Sequence, residues 1–226
     1  MTARGVPWCQ APGHVKKVRR NCVDLVARGR LRIPAVHPGV VGRNPRPQAE
    51  NAVYHVTARG NRRAPIVHDD LDRAAFLGMY QDVATLLGWE TYAYCLMTNH
   101  YHFVLRTSEA NIAVGMHRLN SRWAQRYNRR YLFTGHVFER RYSSRLVTSD
   151  EQLLVALRYV VLNPVRAGLC DHPSEWEWSS FNAVRGAAWA PDFLSVDAVL
   201  RLFHPNKTIA RQPFQAFVEA SLEVRV

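Results

Sequence analysis

The order of apolar and polar positions between residues 52 and 164 predicts a succession of strands and helices. Segments that alternate apolar and polar side chains and are rich in β-branched and aromatic residues indicate strands. Segments in which apolar residues recur every three or four positions indicate helices with one buried face. The predicted strands are 52–60, 89–97, 100–107 and 136–148, and the predicted helices are 69–88, 109–131 and 150–164.

This β-α-β-β-α-β-α order favours an α+β fold of the ferredoxin-like type. We expect an antiparallel sheet of four or five strands with helices packed on one of its faces. Thr98 and Asn99 form the tight turn between the second and third strands. The order divides the chain into a Pro/Arg-rich basic extension at 1–50, a folded domain at 51–170 and a short helical extension at 171–226, with helices expected at 18–28, 195–203 and 209–223.

The charge of the chain points to a polyanionic partner. The formal net charge is +12 and the sequence pI is near 10.1. Residues 1–50 hold ten Lys and Arg against two acidic residues, so +8 of the +12 lies there. Such a balance favours nucleic acid over a membrane surface as partner.

The cysteines and the hydropathy pattern favour an intracellular protein. Cys9, Cys22, Cys95 and Cys170 are scattered, without C-x-x-C pairs or metal-finger spacing, as is usual in a reducing cytoplasm. No apolar run approaches the roughly 20 residues needed to span a bilayer. We therefore expect a cytoplasmic, nucleoid-associated location and no membrane partner.

Two histidines stand one residue apart in the third predicted strand. Alternate residues of a strand share a face, so His100 and His102 project to the same side. Two neighbouring imidazoles can bind one divalent cation. The alternative is a pair of half-buried polar residues on a solvated sheet face, and the tripeptide alone does not separate the two.

The last predicted helix carries a phenol and an amide on one polar stripe. Tyr159 and Asn163 lie one turn apart and point the same way, beside an apolar stripe that can pack on the core. A tyrosine near a metal can attack a phosphodiester through its phenolate, which gives a covalent phosphotyrosine. The alternative is that Tyr159 only packs at an interface and that Asn163, before Pro164, only ends the helix.

Four segments together resemble a known family. They are "YHVTARGNRR", "MTNHYHFVL", "GHVFERRY" and "RYVVLNPVRAGL", in this order. They resemble the REP-associated tyrosine transposases, which belong to the single-tyrosine insertion-sequence transposases within the HUH endonucleases. The resemblance extends from about residue 53 to residue 169. It identifies the domain at 51–170 as an HUH single-tyrosine transposase domain.

The resemblance implies a site and a reaction. His100, His102 and Asn163 would bind the metal, Mg²⁺ or Mn²⁺, and Tyr159 would be the nucleophile that takes the 5′ phosphate of cleaved DNA. The partner would be single-stranded DNA with repeat hairpins, cut and rejoined without a nucleotide cofactor, by a monomer rather than a dimer. Ser143 stands where relatives often have a lysine, so the resemblance does not extend to one phosphate contact.

Seven further residues are candidate DNA contacts: Arg59, Arg62, Arg63, Arg140, Arg141, Tyr142 and Arg166. Arginines bind phosphates without reading sequence, and an aromatic ring can stack on a base. For the first three the alternative is an ordinary solvated turn, and for Tyr142 it is packing in the fourth strand. Arg166 can equally cap a helix C-terminus.

Three functions remain open from the sequence. The first is a metal-dependent endonuclease and strand transferase that acts on single-stranded DNA through Tyr159. The second is a domesticated, non-cleaving protein that binds DNA hairpins. The third is a metallohydrolase that uses only His100 and His102, and the shortage of nearby carboxylates argues against it.

Overall fold

A four-stranded antiparallel sheet organises the protein. A computed structural model describes residues 48–222; most of the basic extension, including the helix expected at 18–28, lies outside the described residues. The strand order is β2-β3-β1-β4, which confirms the predicted ferredoxin-like α+β fold with four strands. The strands are β1 (Ala52–Arg59), β2 (Glu90–Leu96), β3 (His100–Thr107) and β4 (Ser143–Val147).

Seven helices accompany the sheet within residues 48–222. A separate short helix begins at Asn163, which corrects the expectation that Pro164 ends a helix. Proline has no backbone N–H, but the N–H groups of a helix's first turn have no partner within the helix, so Pro164 fits at the start of this one. The helices are α1 (Asp70–Leu86), α2 (Ile112–Tyr131), α3 (Asp150–Val161), α4 (Asn163–Arg166), α5 (Phe181–Arg185), α6 (Val196–Arg201) and α7 (Lys207–Glu219), with 3₁₀ turns at Asn61–Arg63 and Pro173–Glu175.

One face of the sheet packs on α1 and α2 through aromatic rings. The rings of Tyr80 and Phe103 stack with centroids 3.8 Å apart and planes 5° apart. Phe76 of α1 packs edge-on against Trp123 of α2, with centroids at 5.2 Å, and also contacts Tyr101. Such pairs add to the stability gained from apolar burial. We call this side the core face.

The opposite face carries α3, which corrects the expectation that helices cover one face only. Tyr159 of α3 contacts the ring of His102, whose side chain points away from the core face. The helix contacts β2 and β3, and its apolar residues Leu153, Leu157 and Val160 are buried. The apolar stripe that the sequence predicts on this helix therefore fixes it on the second side of the sheet, which we call the cleft face.

The fourth strand is shorter than the alternation predicts. It begins at Ser143, and the preceding residues form a bulge that makes only an isolated bridge between Gly60 and Phe138. Between that bridge and the pair Thr57–Ser143, two residues of β1 face four residues of the bulge, 139–142. A bulge interrupts the regular pairing of two strands and bends the bulged strand. Arg140, Arg141 and Tyr142 therefore precede β4 and do not lie on it.

The residues after 170 pack along the outer edge of β2. The backbone N–H of Leu96 donates to Trp178, and those of Ser180 and Ser195 donate to Tyr94 and Thr91. These bonds cover a sheet edge that would otherwise be open to pairing. Among the helices at 48–222, none has the length and apolar character needed to cross a membrane.

Candidate active site

The two histidines of β3 lie side by side on the cleft face. The rings of His100 and His102 have centroids 5.1 Å apart and planes at 80°. Burial, followed by the positive charge of Arg59, lowers the pKa of His100 to about 4. Burial, followed by the neighbouring His55 and His100 and by Arg59, lowers the pKa of His102 to about 2. Both rings are therefore neutral at pH 7, which is the form that binds metal ions.

A hydrogen bond from the hairpin turn sets the tautomer of His100. Nδ1 of His100 lies 2.7 Å from Oδ1 of Asn99. Nδ2 of Asn99 donates to the carbonyl oxygen of Arg63 at 3.0 Å, so Oδ1 is an acceptor and the His100 proton lies on Nδ1. The lone pair of His100 is then on Nε2, where a neutral imidazole binds a metal.

The last turn of α3 brings Tyr159 over the histidines. Its ring centroid lies 5.6 Å from that of His102 and 5.7 Å from that of His55, in edge-on contacts. The side chain is 39% exposed, so a large ligand can reach the phenol. The guanidinium carbon of Arg166 lies 4.8 Å from the ring centroid. The contact holds Arg166 beside the phenol, where it adds positive charge.

Asn163, at the start of α4, completes the group. Its Nδ2 donates to the carbonyl oxygen of Tyr159 at 2.9 Å, which fixes the amide, and its side chain is buried. The amide of the same side chain lies beside His100, where it favours the protonated ring and so opposes the lowering of the pKa of His100. The structure therefore brings His100, His102, Tyr159 and Asn163 together, as the sequence predicts.

A cleft of about 860 Å³ opens in front of these side chains. It lies between the bulge and β4 on one side and α3 on the other. Its wall carries four arginines and two glutamates: Arg59, Arg140, Arg141, Arg145, Glu139 and Glu151. Three of these arginines are predicted contacts, and Arg145 is an addition. Basic side chains along a cleft of this size can hold a phosphate backbone.

Four of the predicted DNA contacts do not line this cleft, and one of the four, Arg166, lies beside the ring of Tyr159. Arg62 and Arg63 are exposed on the 3₁₀ turn after β1, where both have positive φ, and they do not line the cleft. Tyr142 is 5% exposed. Such burial favours the packing alternative for Tyr142, because stacking on a base requires an open ring face.

Besides Arg145, His55 is a site residue that sequence reasoning missed. It lies on β1 with its Nε2 2.9 Å from Nδ1 of His102. Burial, followed by the positive charge of Arg145, lowers its pKa to about 4. The available signal was its polar position in the alternating first strand, but the pairing of β1 with β3 had to be known before His55 could be placed beside His102.

The side chains present fit a divalent cation. Nε2 of His100 and Oδ1 of Asn163 are left as acceptors by their other hydrogen bonds, and His102 is neutral beside them. Within residues 48–222 no cluster of three or more His, Cys, Asp or Glu side chains has metal-binding geometry. Two imidazoles and an amide oxygen would form the protein's part of the coordination shell, and nitrogen ligands suit Mn²⁺ better than the oxygen-preferring Mg²⁺.

Comparison with known proteins finds a transposase family model and a transposase relative. The family model described as "Transposase IS200 like" matches residues 48–163, about half of the chain. A protein of Haemophilus influenzae named as a REP-associated tyrosine transposase is 25% identical over 118 residues, which are 47% of this chain and 67% of that protein.

The fold also matches a solved structure. A REP-associated tyrosine transposase bound to a REP hairpin superposes with a TM-score of 0.55 at 16% identity, covering 69% of this chain and 94% of that one. At this identity the match concerns the fold. The family assignment depends on the sequence match, which spans β1 to Asn163 and includes all four residues of the site. The chain therefore belongs to the IS200-like transposase family, and its resemblance to the REP-associated tyrosine transposases is confirmed.

Proposed function

We propose that this protein is a cation-dependent endonuclease and strand transferase that cuts single-stranded DNA at hairpin-forming repeats through Tyr159. The observation that carries the proposal is the position of the phenol. It is accessible from a basic cleft and packs edge-on against the rings of His55 and His102 of its own chain. A tyrosine that served only for packing would not need this exposure.

The chemistry is a transesterification that conserves bond number. Oη of Tyr159 loses its proton to solvent and attacks the phosphorus of the scissile phosphodiester. The P–O3′ bond breaks, the 3′ oxygen leaves as a hydroxyl, and the 5′ phosphate becomes a phosphotyrosine. Attack of a 3′-OH on this phosphotyrosine reverses the step and rejoins the strand, so that neither an oxidant nor a nucleotide is needed.

A divalent cation, Mg²⁺ or Mn²⁺, would be held by His100, His102 and Asn163. When bound, it would supply positive charge for the oxygens of the phosphate under attack. Arg166 beside the phenol and Arg59 at the end of β1 would position the phosphodiester. Since the phenol and the histidines meet within one chain, the proposal requires no second copy to complete the site.

Hairpin DNA is the proposed substrate because of the relatives. The structural neighbour is bound to a REP hairpin, and the protein of Haemophilus influenzae carries the same family name. The cleft is lined by arginines that bind backbone phosphates, and the formal charge of the whole chain is +12. Arg59, Arg140 and Arg141 would then grip the single strand next to the hairpin.

A denaturing gel tests this proposal. Labelled single-stranded DNA with a repeat hairpin is incubated with the protein and Mn²⁺, and a covalent protein–DNA adduct is expected. Tyr159→Phe should give no adduct while it binds the same DNA with unchanged affinity, because only the hydroxyl is removed. An adduct that survives this substitution would contradict the assignment of the nucleophile. Binding without an adduct, over a range of metals and hairpins, would favour the non-cleaving hairpin-binding protein.

A further inference from the structure

His55 and His102 form a hydrogen-bonded pair across two strands. Thr57 of β1 pairs directly with His102 of β3, and His55, two residues before Thr57, shares its face. The two rings are nearly parallel, with planes 26° apart and centroids at 5.2 Å. Nε2 of His55 and Nδ1 of His102 are 2.9 Å apart, the distance of a well-formed N–H···N hydrogen bond.

This bond contains one proton, and the ring that carries it determines what His102 can do. If Nδ1 of His102 carries the proton and donates to His55, Nε2 of His102 keeps its lone pair. If Nε2 of His55 carries it and donates to His102, neutral His102 holds its own proton on Nε2 and has no lone pair left for a cation. The two arrangements have the same heavy-atom geometry but opposite consequences at the cleft.

His100 shows which of the two arrangements would give both histidines of β3 the same tautomer. At His100 the acceptor Oδ1 of Asn99 fixes the proton on Nδ1 and leaves Nε2 available. A hydrogen-bond acceptor behind each metal-binding imidazole holds its tautomer and orients its ring. For His102, the group in this place is His55.

We propose that His55 is a positioning residue that accepts a hydrogen bond from Nδ1–H of His102 and thereby leaves Nε2 of His102 free to bind a cation. This inference rests on the proposed function for the identity of the cation site, but it concerns the protein without metal. Asn99 and His55 would then perform the same task for the two histidines of β3, one from the hairpin turn and the other from the adjacent strand.

His55 is better placed for this task than as a cation ligand itself. Its Nε2 is already directed at His102, and Arg145 lies opposite it in the pairing of β1 with β4. The guanidinium of Arg145 is close enough to lower the pKa of His55, so it also opposes a second positive charge at that ring. A neutral imidazole whose Nε2 lies 2.9 Å from Nδ1 of His102 is suited to accept a hydrogen bond from that ring.

The tautomer of His102 can be measured directly in the metal-free protein. Long-range ¹H–¹⁵N correlation spectra separate protonated from unprotonated ring nitrogens, and His102→Ala identifies the signals of His102. We expect Nδ1 protonated and Nε2 unprotonated in the wild-type protein. His55→Gln, which places an acceptor oxygen near the position of Nε2, should keep this pattern, whereas His55→Leu should shift the proton of His102 to Nε2.

Cation affinity provides the second readout. Titration with Mn²⁺ should show a dissociation constant that rises roughly 10–100-fold in His55→Leu, the usual effect of losing such a partner, and that returns most of the way in His55→Gln. Thermal unfolding of the two variants is the control for a general loss of structure. Both variants lack the imidazole of His55 and only His55→Gln restores an acceptor, so a difference in Mn²⁺ affinity at similar melting temperatures is due to the acceptor.

Two results would overturn the inference: a wild-type His102 protonated on Nε2, or Leu and Gln variants with the same Mn²⁺ affinity as the wild type. If the wild type binds no Mn²⁺, the cation part of the proposed function fails and the tautomer alone decides about His55. If the expected tautomer and affinities are found but no covalent DNA adduct forms, the inference holds and the proposed reaction is wrong.

Discussion

The face of the sheet that carries Phe103 and the face that carries His102 are built from the same two strands, β1 and β3. On the core face, Phe103 stacks on Tyr80 and is almost inaccessible. On the cleft face, one residue away, His102 bonds to His55 and contacts the half-exposed Tyr159. Because successive side chains of a strand point to opposite sides, polar groups needed for chemistry can stand next to core residues without entering the core.

The largest expected difference between the faces is in cleavage. Replacement of both His100 and His102 by alanine should lower the rate of adduct formation at least about a thousandfold, since it removes the side chains that hold the charge-stabilising cation. DNA affinity should remain close to that of the wild type at each salt concentration, because the arginines supply it. Adduct formation is read on denaturing gels and affinity by fluorescence anisotropy. Cleavage that persists in the double variant would show that the chemistry does not depend on this pair.

On the core face the large effect is in stability. Phe103→Ala should lower the free energy of unfolding by about 3–5 kcal/mol, because it leaves a cavity against Tyr80 and Tyr101. His100→Ala, on the same strand but on the cleft face, should lower it by only about 1 kcal/mol. Urea unfolding at neutral pH measures both values. Equal losses of unfolding free energy in the two variants would mean that the cleft face contributes as much to stability as the core face.

The elements of the fold could largely be predicted from local patterns. The alternation of β1, the tight turn before His100 and the apolar spacing of α2 all give the observed elements within a few residues. The predictions are wrong where contacts between residues distant in sequence determine the structure. The bulge before β4 exists because residues 137–139 bond to the end of β1, and α3 lies on the cleft face because its apolar stripe meets β2 and β3.

The candidate site divides in the same way. His100 and His102 could be paired because a strand fixes their common face, and Asn163 follows Tyr159 by one helical turn. His55 and Arg145 could not be placed, since their positions depend on the registers of β1 with β3 and with β4. Arg62 and Arg63, two of the predicted DNA contacts, lie on an exposed 3₁₀ turn and do not line the cleft. Local periodicity gives the face of a residue, and only the sheet pairing gives its neighbours.

A smaller effect is expected for the basic wall of the cleft. Arg145 is exposed beside Ser143 and lines the cleft, so Arg145→Ala should weaken DNA binding severalfold and reduce the slope of log affinity against log salt by about 0.7, the value for one phosphate contact on a single strand. Arg201→Ala removes the same charge from α6, outside the cleft, and serves as the control. An equal change in slope for both variants would indicate a general charge effect.

The smallest and most selective comparison removes one hydroxyl from each face. In Tyr80→Phe, Thr91 Oγ1 loses the partner that lies 2.6 Å away in the core, so the free energy of unfolding should fall by about 1 kcal/mol while adduct formation continues at the wild-type rate. In Tyr159→Phe the free energy of unfolding should stay the same while the adduct disappears, because the lost hydroxyl lies in an open cleft and not in the core. Urea unfolding and the denaturing gel, applied to both variants, measure the four values. A loss of stability in Tyr159→Phe, or a loss of adduct in Tyr80→Phe, would show that the two faces are energetically coupled through β3. The assignment of stability to the core face and of chemistry to the cleft face would then be wrong.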